Sequence, residues 1–184
     1  MKKIIQKYFA IVLIAAMPVL ATGATFEKIQ LHSSSEIQQV RQTHKKLARL
    51  GQTDQLLGRA ISAKITRRDR RDTIESMIRQ LISRTAQPYG HPEDGIYVRR
   101  VAGEGGIQQV YDHAVKWLES GRGRHPEFQQ VAGDLHAQLR DLLRHREFYY
   151  FVADHDNSFG VASLGIIYDS KTDEFLMLES TYSE

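Results

Sequence analysis

The stretch from residue 148 to residue 182, FYYFVADHDNSFGVASLGIIYDSKTDEFLMLESTY, decides the fold of this chain. It contains three apolar runs, residues 148–153, 161–168 and 175–178, separated by clusters of Asp, Asn and Ser. Aromatic and β-branched runs bounded by such clusters are typical of strands joined by turns. Short connections favour antiparallel pairing, so we predict a three-stranded meander with the second run in the middle.

Upstream of this stretch, apolar residues recur mostly at helical spacing. Ile37, Val40 and Leu47 follow a serine-rich start, and His44 occupies the remaining turn of their stripe. Similar stripes run through residues 53–65, 74–82, 107–118 and 126–142, whereas residues 25–31 and 96–101 alternate like short strands. The sequence therefore predicts an α+β fold. Four or five helices pack on one face of a small C-terminal antiparallel sheet, with residues 96–101 as the candidate fourth strand.

Residues 1–21 have the composition of a bacterial secretory signal peptide. Three lysines before residue 8 form a positive n-region, and residues 8–17 form an apolar h-region. We predict cleavage after Ala21, with Ala24 as the alternative. The apolar core is shorter than the roughly 20 residues that span a bilayer. We therefore expect an exported protein, periplasmic or secreted, with no stable membrane span after cleavage.

The net positive charge of the precursor comes from this N-terminal segment. The chain has 25 Lys and Arg against 22 Asp and Glu, and all three excess cations precede residue 8. A neutral mature chain gives no reason to expect nucleic acid as a partner. The mature charges are nevertheless polarised, because eight acids and only one base, Lys171, follow residue 146. We expect the acidic hairpins to neutralise the basic helices.

The absence of cysteine narrows the possible chemistry. It excludes a catalytic thiol, a lipid attached through an N-terminal Cys, and zinc bound by Cys. The eight histidines are scattered without the HExxH or HxH spacing of a metal site, so no metal or cofactor is predicted. Residues 25–184 are long enough for a single α+β domain that depends on its core for stability.

The best catalytic candidates are Asp154, His155 and Asp156, which we place in the first turn of the meander. A His beside carboxylates can be held in one tautomer, as a general base requires. The same residue types also suit a turn for backbone reasons alone. A second candidate is an anion site at Arg122 and Arg124, because both cations precede the helix that begins near Pro126.

These observations favour a small exported binding protein that acts by contact with another protein. It would inhibit or neutralise its partner, as an immunity protein does, or serve as an accessory of an envelope system. The alternative is a secreted hydrolase or toxin. Its site would be built around His155 and Asp156, with Arg99, Arg100, Arg122 or Arg124 holding an anionic substrate.

Overall fold

A computed structural model describes residues 25–28, 34–51, 56–68, 71–85, 95–119, 125–157 and 160–182. The strands in these ranges are β1 (Thr25–Lys28), β2 (Leu56–Arg67), β3 (Ile96–Val101), β4 (Phe148–Asn157), β5 (Gly160–Asp169) and β6 (Glu174–Tyr182). The helices are α1 (Ser35–Gly51), α2 (Ile74–Thr85), α3 (Gly103–Val115) and α4 (Pro126–Leu142). The predicted signal peptide lies outside the described residues. Within them, no helix is both long and apolar enough to cross a membrane.

The six strands form one antiparallel sheet in the order β1-β2-β6-β5-β4-β3. The predicted meander is confirmed, with β5 between β4 and β6. The turn before β6 uses its acids as expected, since the Oδ1 of Asp169 accepts a bond from the backbone N–H of Lys171 at 2.8 Å. Asp173 adopts a φ of 57°, which Asp tolerates better than most residues. The candidate fourth strand, β3, pairs with β4.

The predicted sheet of three or four strands is too small, because β2 and β1 extend it beyond β6. The prediction of a helix over residues 53–65 is wrong. Leu57, Ile61 and Ile65 fit a helical stripe, but they also fit a strand, since they are all odd-numbered. β2 pairs with β6 over nine consecutive residues. This long-range pairing favours the two-residue period of a strand over the 3.6-residue period of a helix.

The prediction that the helices pack on one face of the sheet is also wrong. Helices α1, α3 and α4 share one apolar core with the sheet, while α2 packs in a second core on the opposite face. The reason lies in the strands, whose apolar runs are continuous rather than alternating. Ile166 and Ile167 are neighbours that point to opposite faces, yet both are completely buried. Both faces of β5 therefore need a cover.

Two glycines bring the helices of the three-helix face close to the sheet. A Cβ atom at position 165 would lie 2.4 Å from the carbonyl oxygen of Val110, so α3 sits directly on β5. A Cβ atom at position 58 would lie 2.9 Å from the Cβ of Ala48, so α1 sits similarly close to β2. This contact fixes the distance between α1 and β2. The candidate site described below lies beside these two elements.

Candidate functional site

Asp154, His155 and Asp156 lie in a strand rather than in a turn, which corrects the sequence-based prediction. β4 continues to residue 157 and pairs with β5 along its whole length. Because side chains alternate along a strand, Asp154 and His155 point to opposite faces of the sheet. Asp154 contacts His113 of α3, whereas His155 is only 7% exposed. These two side chains therefore do not converge, and the side chain of Asp156 lies outside the described residues.

Asp154 instead belongs to a polar network under α3. Its Oδ2 lies 3.3 Å from the Nε2 of His113, and its Oδ1 accepts a bond from the Oγ of Ser163 at 2.8 Å. The Nδ1 of His113 lies 2.9 Å from the carbonyl oxygen of Gln109. The hydroxyl of Ser163 thus donates to the carboxylate, not to the imidazole, so this network does not have the serine–histidine pair of a serine hydrolase. The network ties α3 to the sheet rather than activating a nucleophile.

Of the four arginines named by sequence, the structure describes only Arg99 and Arg100. Arg122 and Arg124 lie outside the described residues. Arg99 and Arg100 lie on the edge strand β3 and point to opposite faces of the sheet, and the guanidinium of Arg100 lies 4.4 Å from the ring centre of Tyr149. Among the described residues, no group of three or more His, Cys, Asp or Glu is placed to hold a metal ion.

The structure shows a different candidate site, a cavity of about 650 Å³ at the outer part of β2. We call it the β2 cavity. Its lining comprises residues 58–63 of β2, Arg41 and Lys45 of α1, and Leu81 and Arg84 of α2. Because α1 and α2 lie on opposite faces of the sheet, the cavity wraps around the edge of β2. Its wall is therefore formed by side chains from both faces of the sheet.

The β2 cavity is cationic. Four of its lining residues are Arg or Lys, and none of its described lining residues is acidic. Arg59 has a carboxylate partner close by, since its Nη2 lies 2.8 Å from the Oε1 of Glu179 and its Nε also contacts that carboxylate. Burial, and then the guanidinium groups of Arg41 and Arg49, lower the pKa of Lys45. The positive charges on α1 thus repel one another.

Two polar atoms in the lining of the cavity are buried without a hydrogen-bond partner in the described structure. They are the Nε of Arg41, a donor, and the Oγ of Ser62, whose residue is only 1% exposed. A buried polar group left unsatisfied costs about 1–3 kcal/mol. Each atom can donate a hydrogen bond to a carboxylate or carbonyl oxygen, but because both are buried, a ligand would reach them only if the surrounding side chains moved.

Sequence reasoning missed this site, although one signal was present. Arg41, Lys45 and Arg49 recur every fourth residue, which places three like charges on one face of α1. Like charges at i,i+4 destabilise a helix. The pattern therefore indicates that an anionic group outside the helix compensates for the repulsion. The contribution of β2 was hidden because that segment was predicted to be helical.

Comparisons with protein-family models, with curated proteins and with solved structures give no match for this chain.

Proposed function

We propose that this protein is an exported binding protein that acts by protein–protein contact and holds an acidic segment of its partner at the β2 cavity. One observation carries the proposal: the cavity collects basic side chains from three elements, and no acidic residue is among its described lining. Charge complementarity of this kind speeds association and selects the partner. The positive n-region and apolar h-region of residues 1–21 support export.

The arrangement of the cations favours a bound anion over a solvated basic surface. Arg41 and Lys45 make no ion pair with any described carboxylate, although the chain elsewhere pairs its bases with C-terminal acids. Arg68, for example, lies 2.9 Å from Asp173, and Arg59 is held by Glu179. These two α1 cations are therefore left over after the internal pairing that the sequence predicts, and an acidic partner would complete it.

The hydrolase alternative lacks such an observation. His155 and Asp154 face away from each other, and the hydroxyl of Ser163 donates to the carboxylate of Asp154 rather than to the imidazole of His113. The alternative needs groups that converge in one concave site. The lining of the β2 cavity contains Ser62 and four basic residues, but the hydroxyl of Ser62 is not hydrogen-bonded to any of them.

A pull-down with matched charge reversals tests the proposal. Purified wild-type protein, the Arg41→Glu/Lys45→Glu variant and the Arg99→Glu/Arg100→Glu variant are each incubated with the envelope fraction of the source cells. The two variants change the net charge equally, but the second alters the opposite edge of the sheet. Circular dichroism confirms that all three are folded.

We expect the wild type and the β3 variant to recover the same partner, and the α1 variant to recover about tenfold less of it or worse. A partner recovered equally by all three proteins would contradict the proposed role of the β2 cavity. If only the β3 variant failed to recover the partner, the interaction would involve the β3 edge of the sheet, which would contradict the proposal.

A further inference from the structure

The outer edge of β2 is only partly paired. β1 pairs with β2 over residues 63–67, while residues 56–62 have no strand partner on that side within the described structure. On the other side, β2 is paired with β6 along residues 56–64. The stretch that lines the β2 cavity is thus a strand with one satisfied edge and one edge that faces the cavity.

The hydrogen-bond pattern shows which backbone groups face the cavity. The N–H of Ile65 donates to the carbonyl oxygen of Asp173 at 2.8 Å, across the β2–β6 pair. Backbone groups alternate in direction along an antiparallel strand. Odd-numbered residues of β2 therefore bond to β6. The N–H and C=O groups of Gly58, Ala60 and Ser62 point away from β6, and no described strand pairs with them. Ser62 is buried, whereas Gly58 and Ala60 are partly exposed, so these two residues carry the accessible part of the edge.

Along this edge, the residues whose backbone groups point outward offer little protection against pairing, and the charged side chain between Gly58 and Ala60, that of Arg59, is held by Glu179. Natural proteins place Lys, Pro or a bulge on such edges to prevent pairing with another chain. Gly58, Ala60 and Ser62 are small and uncharged, and none is proline. The opposite edge strand, β3, is six residues long and carries Arg99 and Arg100, both exposed. The two edges thus differ in accessibility to an incoming backbone.

We infer that the acidic segment of the partner binds in extended form, as an additional strand on the outer edge of β2. This inference rests on the proposed function and specifies its mode of recognition. The backbone of the segment would pair with the outward groups of Gly58 and Ala60. Main-chain bonds then provide affinity, and the flanking side chains provide specificity.

Basic residues lie on both faces of the sheet beside this edge, so they fit an added strand that has acidic side chains on both faces. Side chains of an added strand alternate between the two faces of the sheet. On one face they would meet Arg41 and Lys45 of α1, and on the other Arg84 of α2. An added strand paired with residues 58–62 would extend about 16 Å. The expected ligand is therefore an extended peptide rich in Asp or Glu, rather than a compact anion.

The test uses a synthetic peptide with blocked ends, in which glutamates alternate with valine or threonine, and citrate as a compact anion. Binding of each to the full-length mature protein is measured by calorimetry. Ala60→Pro removes one outward N–H and leaves the β6 ladder intact, because proline is tolerated where the N–H does not serve the sheet. Ala60→Gly is the matched control, since it shortens the same side chain and keeps the N–H.

We expect Ala60→Pro to weaken peptide binding about tenfold or more, and Ala60→Gly to change it by less than about threefold. Citrate binding should be equal in both variants. In the wild type, peptide should protect the amides of Gly58 and Ala60 from hydrogen exchange. The amides of Arg59 and Ile61 should be protected with or without peptide, because they already bond to β6.

Any of three results would overturn strand addition, and the wild-type exchange measurement applies even if Ala60→Pro does not fold. Two of them concern the bound peptide. They are equal peptide binding by Ala60→Pro and wild type, or peptide binding without protection of the even-numbered amides. A wild-type protein that does not bind the peptide would also overturn it. The pull-down tests the proposed function independently of these results. That function would be contradicted if the Arg41→Glu/Lys45→Glu variant still recovered the cellular partner.

Discussion

The two faces of the sheet are covered unequally, by α1, α3 and α4 on one side and by the 12-residue α2 on the other. On the three-helix face, two hydroxyls have partners in the adjoining elements: that of Ser180 donates to the carbonyl oxygen of His113, and that of Tyr150 donates to the carbonyl oxygen of Leu139. At the outer part of β2, where α1 and α2 both reach the strand edge, Arg41 and Ser62 retain polar atoms without partners in the described structure.

The two regions differ in charge more than in hydrogen bonding, because the buried Nδ1 of His44 on the three-helix face also has no partner in the described structure. The three-helix face is a structural core, in which changes should affect stability and leave binding alone. At the β2 edge, Arg41 and Lys45 repel each other rather than stabilise the fold, whereas Arg59 is paired with Glu179. Each of the following predictions tests one side of this division.

The largest effects should come from emptying either core. Leu135 on α4 and Met77 on α2 are both fully buried, one on each face. Leu135→Ala and Met77→Ala should each lower the free energy of unfolding by about 2–5 kcal/mol, through lost burial and the cavity left behind. Urea denaturation measures both. If Met77→Ala lowered the free energy of unfolding by less than about 0.5 kcal/mol, Met77 would not be packed in a core between α2 and the sheet.

The next effect is a pH dependence that belongs to the three-helix face. His44 is fully buried on α1, and burial lowers its pKa to about 4, although its Nε2 lies 3.1 Å from the carbonyl oxygen of Ala114. An unfolded His titrates near 6.5. Between these values the unfolded state binds a proton that the folded state rejects, so stability should fall as the pH drops from 6.5 to 4.

The loss from His44 should total about 3 kcal/mol over this interval and be absent above pH 6.5. Comparing urea denaturation of wild type and His44→Met at several pH values isolates it from the carboxylates, which titrate in both proteins. The variant keeps most of the buried volume and has no titrating group. Parallel pH profiles for the two proteins would show that His44 is not held neutral by its surroundings.

The smallest effect should appear at the boundary between the two regions. Glu179 is buried and neutralises Arg59, whose pKa is raised by their hydrogen bond. Glu179→Gln should cost about 1–3 kcal/mol of stability, because a charged hydrogen bond is lost. It should also tighten binding of the acidic peptide about threefold, because Arg59 becomes an uncompensated cation of the cavity. Weaker peptide binding by a folded variant would contradict the cationic role of the cavity.

Local sequence was sufficient where neighbouring residues decide the conformation. Apolar runs specify the β4–β5–β6 meander and Asp residues specify its second turn, although the Asp-rich first cluster proved to be part of β4. The stripes of α1 and α4 predict their buried faces, including His44 and Leu135. These features depend on turn chemistry and helical periodicity, both of which act over a few residues. The absence of cysteine likewise excludes thiol chemistry from composition alone.

Only the tertiary structure decided β2, the two-sided covering of the sheet and the candidate site. Residues 56–67 satisfy two periodicities, and pairing with β6, more than 100 positions away, selects the strand. That choice brings Ser62 into one cavity with Arg41 of α1 and Arg84 of α2, residues that no sequence pattern connects. The same alternation separates Asp154 from His155, which adjacency in sequence had suggested as partners. Long-range pairing sets which side chains meet, because strand register is a property of two segments and not of one.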